Sequence, residues 1–367
     1  MESKQKRARE LALEILEEVF EEGAYSNIAL NKALKQSALG SADKSLVTEL
    51  VYGTVARKIT LEWQLAHWVE DRDKLDNWLY ILLELSLYQI LYLDKIPQHA
   101  VVNEAVEIAK GRKCGSEKYV NAILRKIERD GVADPTTIKR KNKRYSVQYS
   151  LPVWLVKVLI DEYGEERAEA IFASLFERNN ASIRVTDLAR KEEIKAVLGA
   201  DDSLLAPSAL VKKQGHFAGH EFFEKGLITI QDESSQLVAP TLQIEGHEQI
   251  LDACSAPGGK AVHMASYLTT GQITALDLYD HKLDLIRQNA ERLGLADKIT
   301  AKKLDATKVF ETFGPNAFDK ILVDAPCSGI GLIRRKPDIK YNKENADFEN
   351  LQKIQLDILD SVCQSLR

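Results

Sequence analysis

The sequence predicts a multidomain protein: an all-α bundle, then a small α+β module, then an α/β domain on a parallel, doubly wound sheet. Three observations predict it. Roughly the first 130 residues carry helical periodicity with little glycine or proline. A break at Gly131-Val132-Ala133-Asp134-Pro135 is followed by the basic run Lys139-Arg140-Lys141-Asn142-Lys143-Arg144. From Gln249 onward, a short apolar strand, a glycine loop and a helix alternate. The expected domains are residues 1–132, 133–235 and 236–367.

In the first domain, Leu11, Ile15, Leu16 and Val19 form one apolar stripe, and Leu46, Leu50, Val51 and Val55 form another. Trp78 to Leu93 reads as a strongly apolar helix closed before Pro97. A helix resumes through Val101–Val106 until Gly111, and Tyr119–Ile127 is the last of the set. The basic run reads as a solvated linker, with RNA contact as the competing reading. Pro152-Val153-Trp154-Leu155 opens a helix to about Tyr163, and Glu165–Leu175 is a second. Ser182–Val185 and Leu227–Asp232 read as strands, and Ser234–Leu242 as a helix leading into the last domain. There, strands are expected at 249–253, 272–276, 299–303 and 319–324, with a helix over Asp280–Leu293.

Composition narrows the class. The chain of 367 residues is 45% hydrophobic and 29% charged, enough for real cores. Its net charge of -5 means any nucleic acid must be held by local basic patches. Four cysteines with no CxxC pair argue against a zinc site or a disulfide framework and suit a reducing cytoplasm. No signal core or long apolar run is present, so a cytosolic, non-membrane protein is expected.

The chemistry concentrates at strand ends. Asp252-Ala253-Cys254-Ser255-Ala256-Pro257-Gly258-Gly259-Lys260 follows the strand Gln249-Ile250-Leu251. Its glycines let the backbone approach a ligand closely, although a tight turn alone would account for them. The loop is neither GxGxxG nor a P-loop, which disfavours a nucleotide-dependent dehydrogenase or an NTPase. Asp277, Asp305 and Asp324 end the next three strands. An acid in the place of Asp277 accepts from ribose hydroxyls in such sheets, with a helix N-cap as the plainer role. Asp305 could accept from an adenine amino group. Together with the loop, the three acids make a nucleoside-type cofactor cradle.

Cys327, in Asp324-Ala325-Pro326-Cys327-Ser328-Gly329, lies at the mouth of that cradle, where a thiol could be a nucleophile or an acid/base helper. The alternative is a small buried hydrophobe, which suits Cys114 and Cys363. Arg334, Arg335, Lys336 and Lys340, in Arg334-Arg335-Lys336-Pro337-Asp338-Ile339-Lys340, are read as contacts to an RNA backbone.

These runs resemble the RsmB (Sun/Fmu) family of 16S ribosomal RNA cytosine-C5 methyltransferases. Gln231-Asp232-Glu233-Ser234-Ser235-Gln236 is similar to that family's entry into the catalytic domain, and the helical N-terminus resembles a NusB-like RNA-binding domain. The resemblance spans essentially the whole chain. It implies a Rossmann-like domain using S-adenosylmethionine, with 16S rRNA as partner, no metal and a monomeric enzyme. Residues Cys254, Ser255, Ala256, Pro257, Gly258, Gly259 and Lys260 would wrap the methionine and ribose portions. Asp277 would hold the ribose, Asp305 would lie near the adenine, and Asp324 near the methionine end and the target base.

The resemblance also implies that Cys327 is the thiol that assists product release. The attacking cysteine would sit in a Thr-Cys pair after the next strand, beyond Arg367. The chain is therefore expected to be C-terminally truncated, with an incomplete sheet, an exposed edge before Asp324 and no methylating activity. Two further readings stand beside it: a NusB-like RNA-binding protein with an inactive cofactor domain, and a transfer-RNA cytosine-C5 methyltransferase.

Overall fold

In a computed structural model, the structure describes residues 7–177, 180–213, 215 and 217–367. The chain packs as two compact units. One holds Met1–Glu177 and Gly329–Asn345, and the other Arg178–Ser328 and Ala346–Arg367. The packing thus divides after Glu177, where the sequence reading expects a separate module over 133–235.

The first unit is helical. Its elements are α1 (Ala8–Glu21), α2 (Ser26–Gln36), α3 (Ser41–Leu65), α4 (Asn77–Tyr92), α5 (Gln98–Arg112) and α6 (Ser116–Asp130), then α7 (Lys141–Tyr149), α8 (Val153–Tyr163) and α9 (Glu165–Ser174). In α1 the stripe Leu11, Ile15, Leu16 and Val19 is buried as its spacing requires. The Glu10 carboxylate accepts the Arg7 N–H at 3.0 Å and closes the first turn. Helix α4 is buried from Leu79 through Gln89, all round its axis, so it forms the centre of the bundle. The basic run is not a linker: its second half opens α7, where Lys141 pairs with Glu165 at 2.9 Å.

The second unit begins with an antiparallel sheet of β1 (Ala181–Val185), β2 (Asp201–Asp202), β3 (Ala209–Lys212) and β4 (Ile228–Ile230), in the order β2-β3-β1-β4. Helix α10 (Lys191–Leu198) and the single turn α11 (Glu221–Glu224) complete it. The expected helix over Ser234–Leu242 is two short turns, α12 (Glu233–Gln236) and α13 (Val238–Thr241). Gln231 ties this segment down: its side-chain oxygen accepts from the buried Arg184 Nε at 2.9 Å, and its carbonyl from Ser182 Oγ and Gln236 Nε2 at 3.0 Å each.

The parallel sheet follows, with β5 (Gln249–Asp252), α14 (Gly259–Ala265), β6 (Gln272–Asp277), α15 (Asp280–Arg292), β7 (Ile299–Lys303), α16 (Val309–Phe313), β8 (Lys320–Leu322) and α17 (Asn345–Cys363). Its order is β7-β6-β5-β8, all parallel. Successive residues of β5 face opposite cores. Ile250 packs with Met264, Ile273 and Ile286 on one side, while Leu251 packs with Leu276, Phe318, Ile358 and Val362 on the other. Burial on both faces is the mark of a doubly wound sheet. Among the described residues β8 stands at the sheet's edge. Beside it Phe318 makes a single parallel bridge to Leu366, and the Arg367 N–H donates to the Phe318 carbonyl at 2.9 Å.

Within the bundle, a Cβ placed on Gly53 would lie 1.9 Å from Tyr88 Cζ, so α3 and α4 approach too closely there for any side chain. Gly53→Ala is expected to destabilise the protein by about 1–3 kcal/mol or more through overpacking. A lowered thermal denaturation midpoint checks it, and an unchanged midpoint would refute the close approach.

Candidate active site

Parallel pairing brings the strand ends together. Asp252 of β5 aligns with Ala275 of β6 and Leu322 of β8, so Asp252, Asp277 and Asp324 leave the sheet at the same edge. The chain then turns through the glycine loop. The Ser255 N–H donates to the Leu276 carbonyl at 2.8 Å and the Gly258 N–H to the Ser255 carbonyl at 2.7 Å. Gly258 holds φ at +97°, and a Cβ there would stand 3.1 Å from Ile286 Cα on α15, so both conformation and space demand glycine. The Ala256–Pro257 peptide is cis, and the Pro257 carbonyl accepts from Asn289 Nδ2 at 2.8 Å.

The side chains form one electrostatic cluster. Lys260, on the first turn of α14, forms an ion pair with Asp324 that joins the loop to the end of β8. The Cys254 thiol is pushed up to about 11, first by burial and then by the carboxylates of Asp252, Asp277, Asp324 and Asp305, so all four acids act at one point. Cys254 is therefore a protonated thiol in the loop wall. Asp277 is nearly buried and accepts the Tyr279 N–H at 3.2 Å, with Lys282 Nζ 3.7 Å away. Asp305 is exposed and caps the following turn, accepting the Thr307 N–H at 3.0 Å and its hydroxyl at 2.9 Å. Ser255 is buried in the loop, Ala256 and Gly259 are half-buried, and Cys327 is exposed.

Asp252 is the residue that the sequence reading passes over. It is 1% exposed, and neither carboxylate oxygen has a well-formed hydrogen bond among the described residues. Burial lifts its carboxyl to about 7, tempered by the nearby Ser255 hydroxyl and raised further by Asp324. A signal for it was present: Asp252 ends its strand just as Asp277 and Asp324 end theirs.

The basic run after Cys327 needs a correction. Arg334 and Arg335 are exposed and Lys336 half-buried, but Lys340 is 2% exposed and donates from Nζ to the Ala56 carbonyl at 2.7 Å. Burial, with Arg57 close by, brings the Lys340 ammonium down to about 7. Lys340 is thus not available to an RNA phosphate. The apolar residues around it, Ile333, Pro337 and Tyr341, pull the segment into the first unit's packing.

Fold and site together define a class: an α/β methyltransferase domain joined to a NusB-type helical domain. Residues 239–367 match the family model "16S rRNA methyltransferase RsmB/F", and residues 6–129 match "NusB family". The probable ribosomal RNA small subunit methyltransferase B of Bacillus subtilis is 43% identical over 368 residues, covering 98% of this chain and 82% of that protein. Ribosomal RNA small subunit methyltransferase B of Shewanella oneidensis is 33% identical, covering 96% of this chain and 82% of that one. The crystal structure of PH0851 shares the fold, with a TM-score of 0.79 over 98% of this chain at 24% identity. The chain belongs to the ribosomal RNA small subunit methyltransferase B family. Its reaction is methylation of ribosomal RNA with S-adenosylmethionine as donor. Among the described residues no helix is long and apolar enough to cross a membrane.

The raised Asp252 carboxyl has a measurable sign. The folded state holds this proton more tightly than the unfolded chain, so the group costs stability as pH rises from the ordinary carboxylate range to about 7. Asp252→Asn is expected to remove that loss and to stabilise the cofactor-free protein at pH 8 by on the order of 2–4 kcal/mol, with little change at pH 4.5. Denaturant unfolding at the two pH values tests this, and equal effects at both would contradict it.

Proposed function

We propose that the protein transfers the methyl group of S-adenosylmethionine to carbon 5 of a cytosine in 16S ribosomal RNA. The observation that carries this is the meeting of four strand-end carboxylates around one glycine loop, with Cys327 three residues beyond Asp324. The residues suit this cofactor. Among the described residues the buried carboxylate oxygens of Asp252 have no well-formed hydrogen bond, and the loop over Cys254–Lys260 admits a close ligand. Asp277 would hold the ribose hydroxyls, Asp305 would lie near the adenine, and Lys260 and Asp324 would frame the methionine end. When bound, the cofactor supplies an electrophilic methyl group on a sulfonium.

Carbon 5 of cytosine is a weak nucleophile. A thiolate that adds to carbon 6 makes the ring enamine-like, so carbon 5 accepts the methyl group. A base then removes the carbon 5 proton, and the electron pair returns to expel the thiolate from carbon 6. The base must leave its stack to reach the site. Asp324, paired with Lys260, would contact the cytosine. Cys327 is the thiol that assists departure of the methylated RNA, as the family resemblance implies.

Of the other cysteines, Cys254 is held protonated, while Cys363 at the end of α17 and Cys114 in the helical unit are exposed, not the buried hydrophobes expected. Exposed Arg334 and Arg335 suit the RNA backbone.

Two outcomes test this reading. Bisulfite sequencing of 16S rRNA from a strain lacking the gene is expected to lose one protected cytosine, which the intact gene restores. An unaltered pattern would overturn the assignment. Transfer of tritiated methyl from S-adenosylmethionine to carbon 5 of cytosine in 16S rRNA is expected to survive Cys327→Ser, with slower release of the methylated RNA. Turnover by this chain that Cys327→Ser abolishes would instead make Cys327 the attacking thiol. Turnover by a chain with no change at carbon 5 would send the reading to another ribosomal target.

A further inference from the structure

The polypeptide leaves the second unit after Ser328, one residue past Cys327, and re-enters it at Ala346. Between them, Gly329–Asn345 is packed in the helical unit. Gly329 sits at the departure with φ +74°, a turn that a side chain rarely adopts. The segment is then fastened by polar anchors as well as by apolar packing. Ser26 Oγ, at the start of α2, donates to the Asp338 carboxylate, and both residues are buried. Tyr341 donates its hydroxyl to the Val55 carbonyl at 2.8 Å, and Lys340 Nζ donates to the Ala56 carbonyl at 2.7 Å. Ile333 joins the cluster of Tyr145, Leu155 and Phe172.

The two carbonyls are informative. In a regular helix Val55 and Ala56 would accept from the N–H groups of Ile59 and Thr60. Those N–H groups are met by Ser150 Oγ, at 3.0 and 3.4 Å. The same turn of α3 therefore takes Tyr341 and Lys340 on its carbonyl side and Ser150, the cap of α7, on its amide side. A segment rich in charge has been given a built seat in a helix. A lysine is buried there at the cost of most of its hydration. Packing alone does not call for that expense in a surface loop.

We propose that residues 329–345 are a strap by which the helical unit positions Cys327, with Ser26, Asp338, Lys340 and Tyr341 as positioning residues. The anchors act through the chain itself, from the turn of α3 along the strap to Gly329 and Ser328. The inference holds whether Cys327 attacks the base or assists its release, so it stands or falls separately from the proposed reaction.

Hydrogen–deuterium exchange on the full 367-residue chain tests it. Tyr341→Phe with Ser26→Ala removes two O–H donors and little packing. In this double variant, amide exchange across 324–333 is expected to rise about fivefold or more, the loss of about one hydrogen bond's worth of local stability. Exchange in α4 and in the loop 253–260 should stay as in the unaltered protein. Asp338→Asn keeps an acceptor for Ser26 and should behave as the unaltered protein does. A nitroxide on Cys327, in a Cys114→Ser and Cys363→Ser background, should gain mobility in the double variant. Faster exchange confined to 337–345 with an unchanged nitroxide, or exchange rising equally in α4, would overturn the strap's positioning role.

Discussion

The site depends on the parallel register of β5 between β6 and β8. That register places the ends of three strands at one edge, and the glycine loop can close over them only because the Ser255 N–H reaches across to the Leu276 carbonyl. The alternating burial of Ile250 and Leu251 in opposite cores locks it, since a slip of one residue would turn each core outward. The carboxylate cluster is thus a product of backbone pairing. Its repulsion is offset locally by Lys260 on Asp324, and burial together with the neighbouring acid raises the Asp252 carboxyl.

Much of this was legible in the sequence, and for identifiable reasons. The apolar stripe of α1 and the all-apolar α4 follow from periodicity and hydrophobicity, which the packing merely uses. Of the four parallel strands, β5 and β6 were marked by short runs ending in aspartate, and Asp305 and Asp324 follow β7 and β8 by two residues. What escaped was set by partners distant in sequence. Asp252 looks like Asp277 until its burial is known. The basic run over 139–144 is largely exposed, as its charge suggests, but its helical second part is tied down by a distant partner, Glu165, which meets Lys141 and Tyr145. β2, only two residues long, carries no pattern of its own.

Lys340 is the clearest case of a local rule overridden by tertiary context. Four positive charges in seven residues read as a solvated or RNA-facing loop, because charge is ordinarily left in water. The seat on α3 reverses this for one of them and leaves Arg334 and Arg335 outside. Buried charge with few partners, at Asp252 and at Lys340, is where stability has been given up. Such positions are where function is concentrated in many folds.

Because Gly329–Asn345 completes the packing of the helical unit while lying between β8 and α17 in sequence, neither unit is a contiguous stretch of the gene. A cut near Glu177 would free a bundle whose α3 turn lacks Tyr341 and Lys340, and would leave those residues in an unseated loop between β8 and α17 of the other piece. The two units are therefore interleaved along the gene. A single crossover near Glu177 would part Gly329–Asn345 from the helical unit it completes, so that unit cannot pass whole between relatives in one crossover.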